Sequence, residues 1–151
     1  MTRVIVLDSG PLGYVTSTRS DAESEECTYW LRTLLLQTDV VVIPEIAAYE
    51  VRRGWLRVHR SAEVAELDRL KTVIAYAPIT TAVMDRAAEF WAHTRQTGNA
   101  TADNKALDAD VILAAQATFL SHLGDQVVIA TTNVRHLSLF VEAQLWRNIR
   151  P

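Results

Sequence analysis

Three short apolar runs constrain the fold of this chain more than any other feature of its sequence. They occupy residues 4–7, 40–43 and 127–130, are rich in β-branched side chains and contain no polar residue. A strand buried on both faces of a parallel sheet has this pattern, because helices cover both of its faces. A weaker run at 73–77, which stops at Pro78, predicts a fourth strand.

Stretches with helical periodicity separate these strands. The predicted helices cover residues 22–37, 44–57, 61–71, 80–97 and, from 107 or 108, as far as 122 before Gly124. In the second helix, one apolar face is predicted to point toward the core; its members are Ala48, Val51, Trp55 and Val58. Alternation of strands and helices is typical of a parallel sheet with right-handed crossovers. We therefore expect one α/β domain spanning residues 1–151.

The composition narrows the class of protein. Hydrophobic residues make up 49% and charged residues 22%, the balance of a soluble globular protein. No apolar run approaches the roughly 20 residues that cross a bilayer, and Asp8 ends the first run too early for a signal peptide. Because Cys27 is the sole cysteine, neither an internal disulfide nor a cysteine-based zinc cluster is expected. A cytoplasmic location is predicted.

The net charge of −3 argues against a protein that coats nucleic acid by bulk electrostatics. It leaves room for a local basic patch, which the sequence offers at Arg52, Arg53, Arg57, His59 and Arg60. The patch is either an RNA contact or the solvated face of a helix.

Three acidic residues fall where such a fold binds ligands, beyond the carboxyl ends of the strands. Asp8 directly follows the first strand, and Glu50 lies two turns into the helix after the second. Asp110 lies at the start of the helix that precedes the strand at 127–130. That strand is followed directly by Thr131, Thr132 and Asn133. We expect these side chains to meet at one edge of the sheet.

Carboxylates brought together in this way repel one another unless protons, arginines or a cation offset their charge. Oxygen ligands without His or Cys suit Mg²⁺ or Mn²⁺ better than zinc. Such an ion can activate a water molecule and stabilise charge on a phosphodiester.

Each acid also has a purely structural interpretation. Asp8 could cap a turn or helix, and Glu50 could pair on the surface with Arg53 or Arg57. Glu45, the rival of Glu50, follows Pro44 and suits the first turn of a helix. Gly54, in the same helix, suggests close approach of a backbone or ligand, since glycine there costs about 1 kcal/mol relative to alanine.

Asp108 and Asp110 cannot point the same way in one helix, because two residues turn through about 200°. We predict that Asp108 caps a helix beginning at Ala109 and that Asp110 is the ligand. Asp103 is a weaker candidate for a cap or loop acid.

Other chemistries find little support in the sequence. The four histidines have no metal-binding spacing, and Ser9 lacks the surroundings of a serine hydrolase nucleophile. The segment around Gly10 and Gly13 lacks the lysine of a phosphate-binding loop. The four tryptophans are expected in core or dimer packing.

Four ordered motifs resemble those of the PIN domain nucleases, which include the VapC-type toxins of toxin–antitoxin pairs. They are VLDSGPL around Asp8, IPEIAAYEVRRG around Glu50, LDADVILAAQA around Asp110 and VIATTNVRHL around Asn133. Together they span nearly the whole chain.

The resemblance implies a three-layer α/β/α domain and a metal-dependent endoribonuclease, often homodimeric, whose partner would be an antitoxin. It places the metal ligands at Asp8, Glu50 and Asp110, and a fourth site residue at Asn133, where many relatives carry Asp. A water activated by Mg²⁺ or Mn²⁺ would attack the RNA phosphate in line, leaving a 5′-phosphate and a 3′-hydroxyl. Thr131 or Thr132 could hold a water or phosphate oxygen nearby.

Two rival interpretations remain at this point. A phosphatase of the haloacid dehalogenase type also has Asp after its first strand, but it needs a second Asp where Gly10 stands. A PIN-like domain could instead bind RNA or a protein partner without cutting.

Overall fold

A five-stranded, wholly parallel sheet lies at the centre of the molecule. The computed structural model describes residues 1–98 and 104–151. The strands are β1 (Arg3–Leu7), β2 (Val40–Pro44), β3 (Ala75–Ala77), β4 (Gln126–Thr131) and β5 (Ala143–Leu145). Their order in the sheet is β3-β2-β1-β4-β5, and each neighbouring pair is parallel. The predicted parallel α/β architecture is confirmed.

Helices connect the strands and cover the sheet. They are α1 (Ser9–Thr16), α2 (Ala22–Leu35), α3 (Glu45–Arg57), α4 (Ser61–Val73), α5 (Thr81–Gln96) and α6 (Asn104–Thr118). Short 3-10 helices occupy Ser121–Leu123, Arg135–Leu139 and Trp146–Asn148. Two of the caps are side chains of the preferred type: Asp21 accepts from the Ser24 N–H, and Thr80 from the Val83 N–H.

Alternate residues of the central strands enter two different cores. Ile5 and Leu7 of β1 are fully buried in one core, together with Leu34 of α2. Val4 and Val6 are fully buried in the other core, which includes Leu113 of α6. Because both faces are covered, the strands contain no polar alternation, and the molecule has three layers, α/β/α.

The strand order creates a switch point beside β1. The chain moves from β1 outward to β2 and β3, and later fills the opposite side with β4 and β5. At the carboxyl ends the ladder extends one residue further, since the Asp8 N–H donates to the Ala130 carbonyl at 2.9 Å. Ligands of open parallel sheets bind in the crevice at such a point.

A buried glutamine fixes the helices around that crevice. Gln116 of α6 is 2% exposed. Its Oε1 accepts from the Ile46 N–H at 3.1 Å, and its Nε2 donates to the Ala77 carbonyl at 2.8 Å. One side chain therefore ties α6 to the start of α3 and to the end of β3, and completes hydrogen bonds that would otherwise be left unmade in the interior.

Several boundaries differ from the predictions. The elements that were not expected include α1, β5 and the 3-10 helices Arg135–Leu139 and Trp146–Asn148. The predicted strand at 73–77 begins at Ala75, since Val73 is the last residue of α4. The last long helix begins at Asn104, three or four residues before its predicted start, and stops at Thr118. On α3 the predicted inward position of Val58 is wrong, because this C-cap residue is 55% exposed.

Within residues 1–98 and 104–151, no helix combines the length and apolar character needed to span a membrane.

Candidate functional site

Asp8 is the central acid of the crevice. It follows β1 and is the N-cap of α1, and its Oδ1 accepts from the Ser9 N–H at 2.7 Å. Its Oδ2 accepts from the Thr131 hydroxyl at the end of β4, also at 2.7 Å. Burial raises the pKa of Asp8, and these hydrogen bonds oppose the rise. The cap and the position at the crevice, predicted as alternatives, occur together.

The end of β4 and the two residues that follow it lie beside Asp8 and α1. The fully buried Thr131 hydroxyl accepts from the Asn133 N–H at 3.0 Å while it donates to Asp8. Thr132 packs so closely on Gly10 that a Cβ there would lie 2.5 Å from its side chain. The Asn133 residue itself is exposed, and within the described part of the chain its hydrogen bonds run through its backbone.

Glu50 approaches from α3. Its side chain is 22% exposed, and one oxygen lies 3.6 Å from Nη2 of Arg53, three residues along the same helix. The pKa of Glu50 is raised, first by burial and then by the negative charge of Asp8, with Asp110 adding to the effect and Arg53 opposing it. The predicted surface pairing with Arg53 is therefore present, and the same carboxylate still senses both other acids.

Asp110 reaches the crevice from α6. Burial, followed by the charge of Asp8, raises its pKa to about 6, against the opposing charges of His136 and Arg135. A carboxylic acid with a pKa near 6 holds its negative charge at a free-energy cost, which a nearby cation would remove.

The structure thus brings Asp8, Glu50 and Asp110 within electrostatic reach of one another. In the described ranges, no three His, Cys, Asp or Glu side chains stand close enough to hold a metal ion in their present rotamers. The donor set is a hard one, with carboxylate oxygens and mutual repulsion, and this fits a divalent cation such as Mg²⁺ or Mn²⁺.

Asp108 does not cap its helix, and that prediction is wrong. The residue lies in the fifth position of α6 and is exposed. It lines a cavity of about 410 Å³ between α5 and α6, whose other walls include Met84, Trp91 and Val111. The helix continues toward its N-terminus because Leu107, fully buried against α5, belongs to its packed face. Asp103 lies outside the described residues.

Two further predictions on α3 have clear outcomes. Glu45 is a structural acid of the first turn, as expected, and its Oε1 accepts from the Ile79 N–H at 2.6 Å. Gly54 is exposed, and a Cβ there would meet nothing within 4 Å. The predicted close approach at Gly54 is wrong.

The basic patch is for the most part a solvated, ion-paired surface. Arg52 pairs with Asp68 and Arg60 pairs with Glu63, both on α4. Arg53, paired with Glu50, is the member that reaches the acidic crevice.

Arg135 was not singled out in the sequence. It follows the Asn133 segment and its charge acts on Asp110. Its φ of 33° lies in a region that residues other than glycine rarely adopt. The one sequence signal for Arg135 is its position two residues after the polar cluster Thr131, Thr132 and Asn133, and that position alone does not predict a role.

Comparison with solved structures shows the same fold. VapBC2 from Rickettsia felis, bound to a DNA fragment from their promoter, aligns with a TM-score of 0.69 and 14% identity, over 93% of this chain and 97% of that chain. VapBC-1 from nontypeable Haemophilus influenzae aligns with a TM-score of 0.65 and 18% identity, over 96% and 99%. Mycobacterium tuberculosis VapC20, described as a sarcin–ricin loop cleaving toxin, aligns with a TM-score of 0.63 and 18% identity, over 97% and 99%.

Among curated proteins, none matches the sequence significantly. The family model of the PIN domain, in contrast, matches residues 5–137. That range contains Asp8, Glu50, Asp110 and Asn133, and the three-layer fold agrees with it. The chain belongs to the PIN domain family.

Proposed function

We propose that this protein is a divalent-metal-dependent endoribonuclease whose metal ligands are Asp8, Glu50 and Asp110. One observation carries the proposal: three partly buried carboxylates, from the end of β1, from α3 and from α6, meet at the switch point of the sheet with raised pKa values. Burial raises the pKa of each, and the charge of Asp8 adds to the rise at Glu50 and Asp110. Charges in such a place need compensation, and PIN nucleases as a family use divalent metal ions.

The ion would supply an activated water and would stabilise the charge that develops on the phosphate. The chain's own residues would position it. Asp8 is held on both oxygens by Ser9 and Thr131, so its orientation does not depend on the ion. Glu50 and Asp110 stand on two different helices, α3 and α6. Asn133, a neutral amide, would add an oxygen at the rim without adding charge.

RNA is the proposed substrate because of family membership and because one structure of this fold is a toxin described as cleaving the sarcin–ricin loop. Hydrolysis at the phosphate would leave a 5′-phosphate and a 3′-hydroxyl. We propose Mg²⁺ or Mn²⁺ as the ion.

A toxin of a toxin–antitoxin pair is the proposed biological role. Two of the structures with this fold are VapBC complexes. An antitoxin would inhibit by covering the acidic crevice, and a small gene immediately upstream is expected to encode it. Homodimerisation stays a prediction. Co-expression with the upstream product should yield a complex that elutes as one species and cleaves no RNA.

The decisive assay is Mn²⁺-dependent cleavage of mixed RNA by the wild type, Asp8→Asn and a matched control, Asp85→Asn. Asp85 is an exposed acid of α5 outside the crevice. The wild type and the control should cleave at the same rate, and Asp8→Asn should lose activity. Equal cleavage by all three would reject the assignment.

The alternative, a PIN domain that binds without cutting, draws on the separation of the acids in their present rotamers. It predicts that the wild type binds RNA while Mn²⁺ and Mg²⁺ produce no cleavage.

A further inference from the structure

An acidic crevice has difficulty receiving a polyanion. Three carboxylates and one divalent ion leave a net negative charge, whereas every nucleotide of the substrate brings another. Binding therefore needs positive groups that lie beside the acids but remain free to turn toward a phosphate. This reasoning rests on the proposed function, since it takes RNA as the ligand.

Arg53 meets this need on the α3 side. Its guanidinium lies 3.6 Å from the Glu50 carboxylate and 5.0 Å from the centre of the Tyr49 ring. Its side chain is 59% exposed. An ion pair at this distance and exposure is weak, so the guanidinium can leave Glu50 for a stronger, bidentate contact with a phosphate. The Tyr49 ring, itself 56% exposed, holds the guanidinium at the rim.

Arg135 meets it on the α6 side. It is exposed and begins the 3-10 helix Arg135–Leu139, which packs against α6. Its positive φ sets the direction in which the side chain leaves the backbone, and its charge acts on Asp110. Residues held in such a conformation cluster at functional sites.

Three other arginines, Arg3, Arg52 and Arg60, already have carboxylate partners away from the crevice. Arg3 forms two hydrogen bonds with Asp39, at 3.0 and 2.7 Å. Arg52 and Arg60 pair with acids of α4. Arg53 differs from these because it pairs with the site acid Glu50, and Arg135 because its 3-10 helix packs on α6, the helix that carries Asp110.

We infer that Arg53 and Arg135 bind the RNA phosphates on the two sides of the bond that is cut, and so hold the strand across the acidic crevice. The contacts are to the backbone, so they would confer affinity and alignment rather than base preference.

The test compares Arg53→Gln, Arg135→Gln and the double variant with a matched control, Arg57→Gln. Arg57 is exposed on the same helix as Arg53, and no effect of its charge on the site acids is found. Losing one charge-assisted contact should raise the KM for RNA about 10-fold per arginine, with kcat changed little. The double variant should lose about 100-fold if the two contacts are independent.

A second readout uses binding alone. The slope of log Kd for single-stranded RNA against log salt concentration should fall by about 0.7 for each arginine removed. Arg135→Lys should keep that slope, which separates lost charge from a disturbed backbone. If the Arg53 and Arg135 variants had the same KM values and salt slopes as Arg57→Gln, the inference would be overturned. The same result is expected if the two arginines bind a protein partner instead of RNA.

The two proposals fail in different ways. A wild type that binds RNA but does not cut it would reject the nuclease, while the salt slopes would still support or reject the two phosphate contacts.

Discussion

The buried carboxylate Glu63 and the three carboxylates of the crevice have pKa values shifted in opposite directions. Glu63 of α4 is 1% exposed, yet it pairs with Arg60 and accepts from the Thr18 hydroxyl at 2.9 Å, which lowers its pKa to about 2. The pKa values of Asp8, Glu50 and Asp110 are all raised. A carboxylate with its cation already in place joins elements of the fold. At the crevice the exposed Arg53 lies 3.6 Å from Glu50, yet the pKa values of all three acids stay raised, which is why we propose that an external cation binds there.

The largest expected effect is on activity. Asp110→Asn should reduce Mn²⁺-dependent cleavage by about 100-fold or more, because a ligand whose charge offsets the ion contributes several kcal/mol. The thermal unfolding midpoint of the metal-free protein should stay the same or rise, since one repelling charge is gone. Cleavage rates measure the effect on activity, and thermal denaturation measures the unfolding midpoint. A large fall in the midpoint would instead class Asp110 with the structural acids.

The reverse result is expected at the paired site. Glu63→Gln leaves Arg60 without its partner, so the unfolding midpoint should fall by several degrees, while cleavage per folded molecule stays the same. Replacing both residues, with Arg60→Met and Glu63→Leu, should recover part of the loss because no charge is left unpaired. A Glu63→Gln protein that keeps its midpoint would show that the pair adds nothing to stability.

The pH dependence of stability should have opposite signs for the two groups. The unfolded pKa of Glu63 is about 4.3, so its contribution is complete above that pH and is lost as the pH falls toward about 2. For Asp110 the folded state holds the proton more tightly, so a penalty is complete above about 6 and disappears below the unfolded pKa of about 3.9.

Unfolding midpoints of the metal-free protein between neutral pH and pH 3 check this. As the pH falls from neutral to about 4, protonation of Asp110 removes its repulsion with Asp8, so the unfolding midpoint should rise. Asp110→Asn should flatten that part of the curve. Glu63→Gln should flatten the acidic part only. Identical profiles for both variants would remove the distinction between the two groups.

The smallest effects are expected at two glycines. Gly54→Ala places a methyl group in open space on α3 and should stabilise the protein by about 0.5–1 kcal/mol without changing cleavage. Gly10→Ala places one 2.5 Å from the Thr132 side chain and should shift the segment that supports Asp8. Since small displacements near a reacting centre are costly, cleavage should fall about 10-fold. Equal activity of both variants would show that the Gly10 contact is not needed.

Much of the fold could be predicted from the sequence because its signals are strong. The short β-branched runs that became β1, β2 and β4 have the pattern of strands covered on both faces of a parallel sheet. Asp8 follows directly from this, since the residue after a central strand lies at the crevice.

The missed elements have weak local signals and depend on tertiary contacts. α1 has the sequence SGPLGYVT, a poor helix former; it forms because Leu12 and Val15 are buried and because Pro11 falls in the first turn, where its missing N–H is not needed. β5 has three residues and is defined by its pairing with β4. Neither can be read from propensity alone.

Cap chemistry misled the prediction for α6. Asp108 has the right side chain for an N-cap, but so do other residues upstream. Packing of the helix, rather than the type of cap residue, determines that the helix extends beyond Asp108. Leu107 is fully buried against α5, so the helix had to include it. With Asp108 inside the helix, its side chain turns about 200° away from Asp110 and lines the α5–α6 cavity.

Direct measurement of ion binding tests the central claim, that Asp8, Glu50 and Asp110 form a cation site. Metal-free wild type, Asp8→Asn and the control Asp85→Asn are titrated with Mn²⁺ at neutral pH, and free Mn²⁺ is followed by electron paramagnetic resonance. The wild type and Asp85→Asn should bind with the same affinity and unfold at a higher temperature with the ion, and Asp8→Asn should bind about 10-fold more weakly or worse. No binding by the wild type, or equal binding by all three, would contradict the account.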